Sequence, residues 1–175
     1  GYHLDTIYNK VMKELPSDKL TVRNYIVYEI KAQTPFTGYR VQHYDTGGIM
    51  EKTCYKDGLQ EGESIYFYLT GQWKLKINFK KGELNGPFEI YYESGQLEGI
   101  NTYKKGELNG PFESYYENGQ LQTKYTYKND VQDGPYETYH VNGQLRSKGT
   151  YKNGVQDGPY EFYYDNGQLC KVDFY

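Results

Sequence analysis

The sequence has few of the residues that most often build catalytic and metal sites. Among its 175 residues are two cysteines and three histidines, and the histidines lie far apart, at His3, His43 and His140. A metal site needs several clustered ligands, and nucleophilic catalysis needs a base beside the nucleophile. Neither pattern is present in the sequence. We therefore expect no metal, no cofactor and no enzymatic activity.

Strong net charge and long hydrophobic runs are also missing. The formal charge is −3 and the pI is about 5.7, which argues against nucleic-acid binding. No run of about 18 apolar residues is present, and we do not expect membrane contact. Leu, Ile, Val and Phe make up only a fifth of the chain, but 23 tyrosines add large amphipathic side chains that favour strands. The composition indicates an ordered β protein with an aromatic, partly hydrated core.

What the sequence does contain is a strict repeat. Six glycines recur every 24 residues without an insertion, at Gly38, Gly62, Gly86, Gly110, Gly134 and Gly158. A fixed period of this length is typical of repeat architectures, in which each copy packs on its neighbours and the array offers a long surface. We assign residues 37–175 to an array of about six copies.

Each copy contains two turn signals, which predict two short strands per copy. Asn142-Gly143 represents the first signal, and we expect a type I′ hairpin turn there. Asn153-Gly154 represents the second. With Asn142-Gly143 as a two-residue loop, Glu137 faces Lys148, and the opposite charges support this register. The same register gives three further facing pairs: His140 with Leu145, Thr138 with Ser147, and Glu113 with Lys124.

Strand alternation divides each copy into two faces. The packed face is predicted to carry Tyr136, Thr138, His140, Leu145, Ser147, Gly149 and Tyr151. The charged face is predicted to carry Glu137, Tyr139, Arg146, Lys148 and Thr150. The histidines His43 and His140 occupy tyrosine positions of the repeat and are interpreted as packing substitutions.

An aromatic stripe on the charged face is the main candidate binding site. Its members recur once per copy, two strands and roughly 10 Å apart, and are Phe67, Tyr91, Tyr115, Tyr139 and Tyr163. Glu113 and Glu137 flank it, and rigid aromatic rings beside charged groups suit a protein partner. The alternative is that these rings only stack along the sheet and shield it from water. The strand ending at Tyr175 is a second candidate, for self-association through its edge.

Residues 1–36 lack the period and are predicted to form a cap. Ile7, Val11 and Leu15 form a helical stripe that ends before Pro16, which predicts a helix over about 5–15. Residues 20–28 read as a short hairpin. Terminal units of arrays are usually atypical because one of their faces lacks a neighbour.

The cysteines and the first residues bear on the compartment. Cys54 and Cys170 lie almost five copies apart, on the order of 45 Å along the array, which is too far for a disulfide. The chain begins Gly1-Tyr2. Removal of methionine before glycine would account for this start, as would a residue left by cloning in place of a signal peptide. The second reading, which we favour, predicts an exported protein.

The copies resemble a known repeat family. The segments Gly-Pro-Phe-Glu-Ser-Tyr-Tyr-Glu-Asn-Gly-Gln-Leu at 110–121 and Gly-Thr-Tyr-Lys-Asn-Gly at 149–154 resemble the bacterial variant of the MORN repeat, as does Pro-Phe-Thr-Gly at 35–38. The resemblance extends over residues 36–175. It implies an all-β fold, an elongated, twisted, single-layer antiparallel sheet of tandem hairpins.

The resemblance also implies a class of function. The family includes antitoxin and immunity partners of bacterial toxins, and related eukaryotic repeats scaffold proteins and contact membranes. We therefore expect a non-enzymatic protein-binding repeat protein of bacterial origin, with a toxin as the candidate partner. The alternatives are an exported structural or adhesive surface protein and a scaffold that binds lipid headgroups. The family motif is structural, so no functional residue is transferred from it.

Overall fold

The structure, a computed structural model, describes residues 12–175. Within this range there are seventeen strands and one 3₁₀ helix, Ser17–Lys19. The strands are β1 Glu14–Leu15, β2 Leu20–Arg23, β3 Ile26–Glu29, β4 Gly38–His43, β5 Ile49–Lys56, β6 Leu59–Phe67, β7 Trp73–Lys80, β8 Glu83–Tyr91, β9 Leu97–Lys104, β10 Glu107–Leu108, β11 Gly110–Tyr115, β12 Leu121–Lys128, β13 Val131–Tyr139, β14 Leu145–Lys152, β15 Val155–Gln156, β16 Pro159–Tyr163 and β17 Leu169–Phe174.

Fifteen of these strands form one sheet whose spatial order follows the chain. From β4 to β17 neighbouring strands pair antiparallel in chain order, except that the short strands β10 and β15 pair only with β9 and β14, and β1 joins in parallel beside β4. The short strands β10 and β15 continue into β11 and β16, where other copies have a single long strand such as β13. The predicted fold class, a mostly antiparallel single sheet of tandem hairpins, is confirmed.

The type I′ turn of each copy is the second turn, not the first as predicted. At the second turn, Asn153 and Gly154 both have positive φ, 50° and 82°, as a type I′ turn requires. At the first turn only Gly143 has positive φ, so the type I′ assignment there is wrong. The loop is longer than two residues: the Gly143 amide donates to the His140 carbonyl, and the His140 amide donates to the Gln144 carbonyl.

The longer loop changes the register beside it. Tyr139, not His140, faces Leu145, because a bulge between Thr138 and Tyr139 leaves Arg146 without a facing residue. The other three predicted facing pairs are present as predicted: Glu137 with Lys148, Thr138 with Ser147, and Glu113 with Lys124. The prediction therefore fails only over the residues next to the turn.

The repeating glycine is needed for its backbone conformation. Gly134 has φ of 116°, a region that side-chain-bearing residues rarely adopt. It lies where the pairing of β12 with β13 is irregular, since Tyr125 faces Tyr136 but Tyr127 faces Gln132. The 24-residue period is thus the period of a bulge that each hairpin uses to join the next.

A second set of hydrogen bonds joins successive hairpins at the first turn. The Tyr116 hydroxyl donates to the Tyr139 carbonyl at 2.8 Å, 23 residues along the chain. Tyr44, Tyr68 and Tyr92 make the equivalent bond in earlier copies, to the carbonyls of Phe67, Tyr91 and Tyr115. In the next copy His140 Nε2 lies 3.0 Å from the Tyr163 carbonyl. His140 therefore keeps the contact that tyrosine makes elsewhere.

The N-terminal region corrects part of the prediction. Glu14 and Leu15 form a strand parallel to β4, so the helix predicted over 5–15 is wrong at its C-terminal end. The lysine before them supplies a carbonyl that accepts the Tyr39 amide, which fixes the strand at the edge of the sheet. The rest of the predicted helix, residues 5–11, lies outside the described residues. Strands β2 and β3 form a separate two-stranded hairpin within 20–29.

The packed face changes character along the array. From β8 onward it carries stacked rings, such as Phe112 and Tyr125 with centroids 4.4 Å apart. In the first copies it is polar: Arg40 binds the carboxylate of buried Glu51, to which the Thr53 hydroxyl also donates at 2.6 Å. The array therefore begins with a buried ion pair where later copies bury rings.

The two cysteines lie near opposite ends of the sheet. Cys54 is on β5 and Cys170 on β17, and both thiols are free. Nine further strands lie between β5 and β17 in the order of the sheet.

Candidate binding face

The predicted aromatic stripe forms a hydrogen-bonded ladder on the charged face. In each of four copies the tyrosine hydroxyl donates to the carboxylate two residues earlier on the same strand. The distance is 2.6 Å from Tyr91 to Glu89 and 2.7 Å from Tyr139 to Glu137. The other two pairs are Tyr115 with Glu113 and Tyr163 with Glu161. We call these eight residues the Tyr–Glu ladder.

The ladder disfavours ionisation of Tyr91, Tyr115 and Tyr139. A hydroxyl that donates to a carboxylate resists ionisation, because its anion would face a second negative charge. The hydrogen bond to Glu113 is the main reason that the pKa of Tyr115 rises to about 12. Burial and then Glu137 raise the pKa of Tyr139 to about 12, and burial and Glu89 also raise that of Tyr91. The hydroxyls of Tyr91, Tyr115 and Tyr139 therefore remain hydrogen-bond donors to pH values above those at which an ordinary tyrosine ionises.

Lysines lie beside the ladder, though not always in the predicted pairs. Lys124 Nζ lies 3.7 Å from the Glu113 carboxylate, as the register predicts. Lys148 faces Glu137 across the strands, but its ammonium lies 3.0 Å from Glu161 on the next hairpin. The hydrogen bond from Tyr163 and the ammonium of Lys148 lower the pKa of Glu161. Each ladder carboxylate therefore accepts a hydrogen bond from a tyrosine hydroxyl, and the carboxylates of Glu113 and Glu161 also lie near a lysine ammonium.

Phe67 continues the stripe without its chemistry. It lacks a hydroxyl, and the residue two positions earlier is Ile65, so this copy has no ladder bond. Phe67 faces Trp73 across the strands. The stripe therefore changes from hydrogen-bonded rings to apolar rings at its N-terminal end.

Sequence reasoning missed Trp73. Its ring is 46% exposed and meets Tyr91 edge to face at a centroid distance of 5.7 Å. Lys76 Nζ lies 4.5 Å from the Trp73 ring centroid and 3.3 Å from the Glu63 carboxylate. One feature of the sequence could have pointed to it, because Trp73 is the only tryptophan of the chain. The 24-residue period likewise places Glu89 and Glu161 at the same position of the repeat as Glu113 and Glu137.

The bulge moves Arg146 away from the face predicted for it. Arg146 lines a depression together with Ser147 and Thr138, on the side predicted to be packed. Strict alternation would place consecutive residues such as Arg146 and Ser147 on opposite faces. An unpaired bulge residue re-aims its side chain, which explains the difference.

Two kinds of site are not found in the described part of the chain. Across residues 12–175 no three His, Cys, Asp or Glu side chains are grouped as they would be to hold a metal ion. The same residues include no helix that is both long and apolar enough to cross a bilayer.

Sequence comparison identifies the repeat. The profile of the family described as MORN repeat variant matches residues 84–105, 108–129, 132–153 and 156–175. The chain belongs to this family. The matched MORN repeats begin later than the resemblance at residue 36 implies, because Arg40 and Ser64 stand where the later copies have an aromatic ring. No curated protein matches the sequence.

Comparison with solved structures finds two that are similar to parts of this chain. One is a mutant of S. aureus TarM in complex with fondaparinux, alpha-GlcNAc-glycerol and UDP, with 13% identity and a TM-score of 0.37 over 55% of this chain and 19% of that chain. The other is a GtfA/B complex bound to UDP and GlcNAc, with 13% identity and a TM-score of 0.23 over 94% of this chain and 27% of that chain. This chain thus spans less than a third of either protein, and likeness at this level carries no functional argument. MORN repeats indicate a repeat protein involved in binding.

Proposed function

We propose that this chain is a non-enzymatic protein-binding repeat protein, and more narrowly a bacterial antitoxin or immunity protein that occupies the surface of a toxin. The observation that carries the proposal is the charged face, where the exposed Trp73 ring lies beside the Tyr–Glu ladder. Trp and Tyr are the residues that most often dominate protein interfaces.

The face offers affinity and specificity by different means. Trp73 contacts both Tyr91 and Lys76, so its ring is held in place before a partner arrives, which lowers the entropy lost on binding. The ladder carboxylates, among them Glu113 and Glu137, give a row of negative groups about 10 Å apart. A partner with basic side chains at a matching spacing would be favoured over others.

Photo-crosslinking tests the binding face in cells of the source organism. Benzoylphenylalanine replaces Trp73 in one variant and Val155 in the control. Val155 is 67% exposed at the start of β15, beside the second turn of its copy. We expect one stoichiometric protein adduct from position 73 and none from position 155. Equal labelling from both positions, or no adduct, would count against the charged face as the binding surface.

The narrower assignment needs a separate test. Co-expression with the product of the neighbouring gene is expected to prevent growth arrest by that product, and the E113K/E137K variant is expected to lose this protection. A neighbouring product without toxicity rejects the immunity role while leaving protein binding intact.

Self-association is a second candidate function, for a structural or adhesive protein. Within the described chain β17 pairs only with β16, and Leu169, Val172 and Phe174 on β17 are exposed. Unpaired strand edges with apolar side chains can pair with a further strand. Sedimentation of the wild type and of Val172→Lys distinguishes the cases: association that the lysine abolishes favours this role, and a monomer at high concentration rejects it.

A further inference from the structure

The packed face contains a row of small side chains that the aromatic repeat does not explain. Five residues on successive strands face one another in register, and none is larger than threonine: Gly99, Ser114, Thr123, Thr138 and Ser147. Ile90 bounds the row at one end and Phe162 at the other. At about 4.8 Å per strand the row is roughly 19 Å long. We call it the hydroxyl trough.

Aromatic rings form both sides of the hydroxyl trough. On one side, rings follow one another along the neighbouring row, with Tyr125 and Tyr136 at a centroid distance of 5.8 Å and Tyr136 and Tyr160 at 6.0 Å. On the other side are the tyrosines that join successive hairpins, such as Tyr116. A cavity of about 360 Å³ opens in this region, lined by Thr123, Thr138 and Ser147 among others. Its volume lies within the range of roughly 300–1,000 Å³ usual for ligand sites.

The floor is polar but carries no ionisable group. The Thr138 and Ser147 hydroxyls are 2.6 Å apart, and Ser147 Oγ lies 3.3 Å from the Tyr160 hydroxyl. Each hydroxyl can donate one hydrogen bond and accept two, so the floor has capacity for further bonds of either kind. Gln122 and Arg146, the bulge residues of successive copies, add an amide and a guanidinium at the rim.

We propose that the hydroxyl trough binds a linear, neutral oligosaccharide. Such a ligand presents hydroxyls that both donate and accept, and apolar C–H faces that pack on aromatic rings. These requirements match a hydroxyl floor between aromatic sides. The floor carries no charge, and Arg146 at the rim is the one charged side chain that lines the cavity, where its guanidinium can donate hydrogen bonds to saccharide hydroxyls. A peptide adding as a strand would need an open sheet edge, and the trough lies across the middle of the sheet.

This proposal does not rest on the protein-binding function. Tyr139 of the Tyr–Glu ladder also lines the cavity, but the hydroxyl trough and the ladder carboxylates lie on opposite faces of the sheet. Glu113 and Ser114 are adjacent in β11 and point to opposite sides. A partner on the charged face and a saccharide on the packed face could therefore bind together.

The experiment is calorimetric titration of the full chain with cellohexaose and with maltohexaose, neutral linear hexasaccharides of different linkage. We expect saturable binding of at least one of them. In the T123V/T138V variant two hydroxyls are replaced by methyl groups of similar size, and we expect affinity to fall at least tenfold. The matched control is Thr126→Val, on the same strand as Thr123 but on the opposite face, and its affinity is expected to equal that of the wild type.

Two results overturn the proposal. One is the absence of saturable binding of both hexasaccharides at millimolar concentration by folded wild-type protein, as judged by circular dichroism. The other is binding that T123V/T138V leaves unchanged. In a parallel arm, a random peptide library is screened for members whose binding depends on Thr123 and Thr138. If such peptides bind and neither hexasaccharide does, the hydroxyl trough is a peptide-binding site instead.

Discussion

Gly58 connects the cap to the array, and its replacement should separate the two. Gly58 has φ of 77° in the type I′ turn after β5. Its carbonyl accepts the Val27 amide at 2.9 Å, and its own amide donates to the Phe36 carbonyl at 2.7 Å. A Cβ at position 58 would lie 2.3 Å from Ile26 Cγ2 and 2.7 Å from the Val27 carbonyl oxygen. The backbone atom cannot move away as a flexible side-chain end could.

An alanine at position 58 would destabilise the fold in two ways, through its backbone conformation and through a steric clash. A matched glycine elsewhere in the array allows the two costs to be measured separately. Gly106 has φ of 83° in the equivalent turn two copies later, and a Cβ there meets nothing within 4 Å. Gly106→Ala should therefore destabilise the fold only through the left-handed backbone, by about 1–2 kcal/mol. Gly58→Ala adds an overpacking cost of typically 1–3 kcal/mol. We expect a total loss of about 2–5 kcal/mol at position 58.

Amide hydrogen exchange by NMR is the decisive assay, because arrays open locally and one global free energy can hide a local change. In Gly58→Ala the Val27 amide should lose protection, while amides of the later copies keep theirs. In Gly106→Ala the Val27 amide should stay protected. Urea unfolding gives the total loss for each variant. Equal losses in the two variants, with the Val27 amide protected in both, would refute the assigned contact.

Three further predictions concern single side chains. Tyr25 is 93% exposed with φ of 64°, so Tyr25→Gly should raise stability in urea by about 0.5–1 kcal/mol through relief of the left-handed conformation. Tyr116→Phe removes a hydrogen bond between hairpins and should lower stability in urea by about 1 kcal/mol, where no loss would show that the bond is not made in solution. The pKa values of Tyr115 and Tyr139 of about 12 lie above the ordinary value of about 10, so the stability that they contribute is complete below pH 10 and is lost as the pH rises through 12. Titration of ¹³Cζ-labelled tyrosine should show both values, and Glu137→Gln should lower only that of Tyr139; an unchanged value would contradict the ladder.

The sequence predicts most of the array because the array is built from local rules. The glycine equivalent to Gly134 in every copy indicates a backbone conformation that few other residues adopt. Charges fix the facing of Glu137 and Lys148 independently of the turn. Errors appear where two turn types share one dipeptide: Asn142-Gly143 fits both a two-residue type I′ loop and a longer loop with a single left-handed glycine. Only the structure distinguishes them, through the bulge beside the loop.

The cap and the candidate binding face are harder to predict from the sequence, for different reasons. Glu14 and Leu15 lie at the end of a helical stripe in sequence, but their strand forms because the edge of β4 offers unpaired backbone groups, a contact between residues about 25 positions apart. Tertiary pairing of this kind overrides local periodicity. Trp73, the proposed anchor, lies in a copy that departs from the repeat, so periodicity does not indicate it. The tyrosine hydroxyls could be placed on a face, but their bonds to glutamates depend on side-chain conformation.

The positions at which the copies differ also determine which chemical groups each part of the array presents. A copy of the repeat must keep its turns and its bulge glycine to join its neighbours, so it can vary only in the side chains between them. In the first copies these variable positions carry a buried ion pair, Arg40 with Glu51. In the middle copies they carry hydroxyl groups, such as those of Thr123 and Thr138. Because the sheet has a single layer, a change on one face does not displace side chains on the other. The chain can therefore present chemically different surfaces along and across one scaffold, and its recognition chemistry should be sought at the positions that differ between copies.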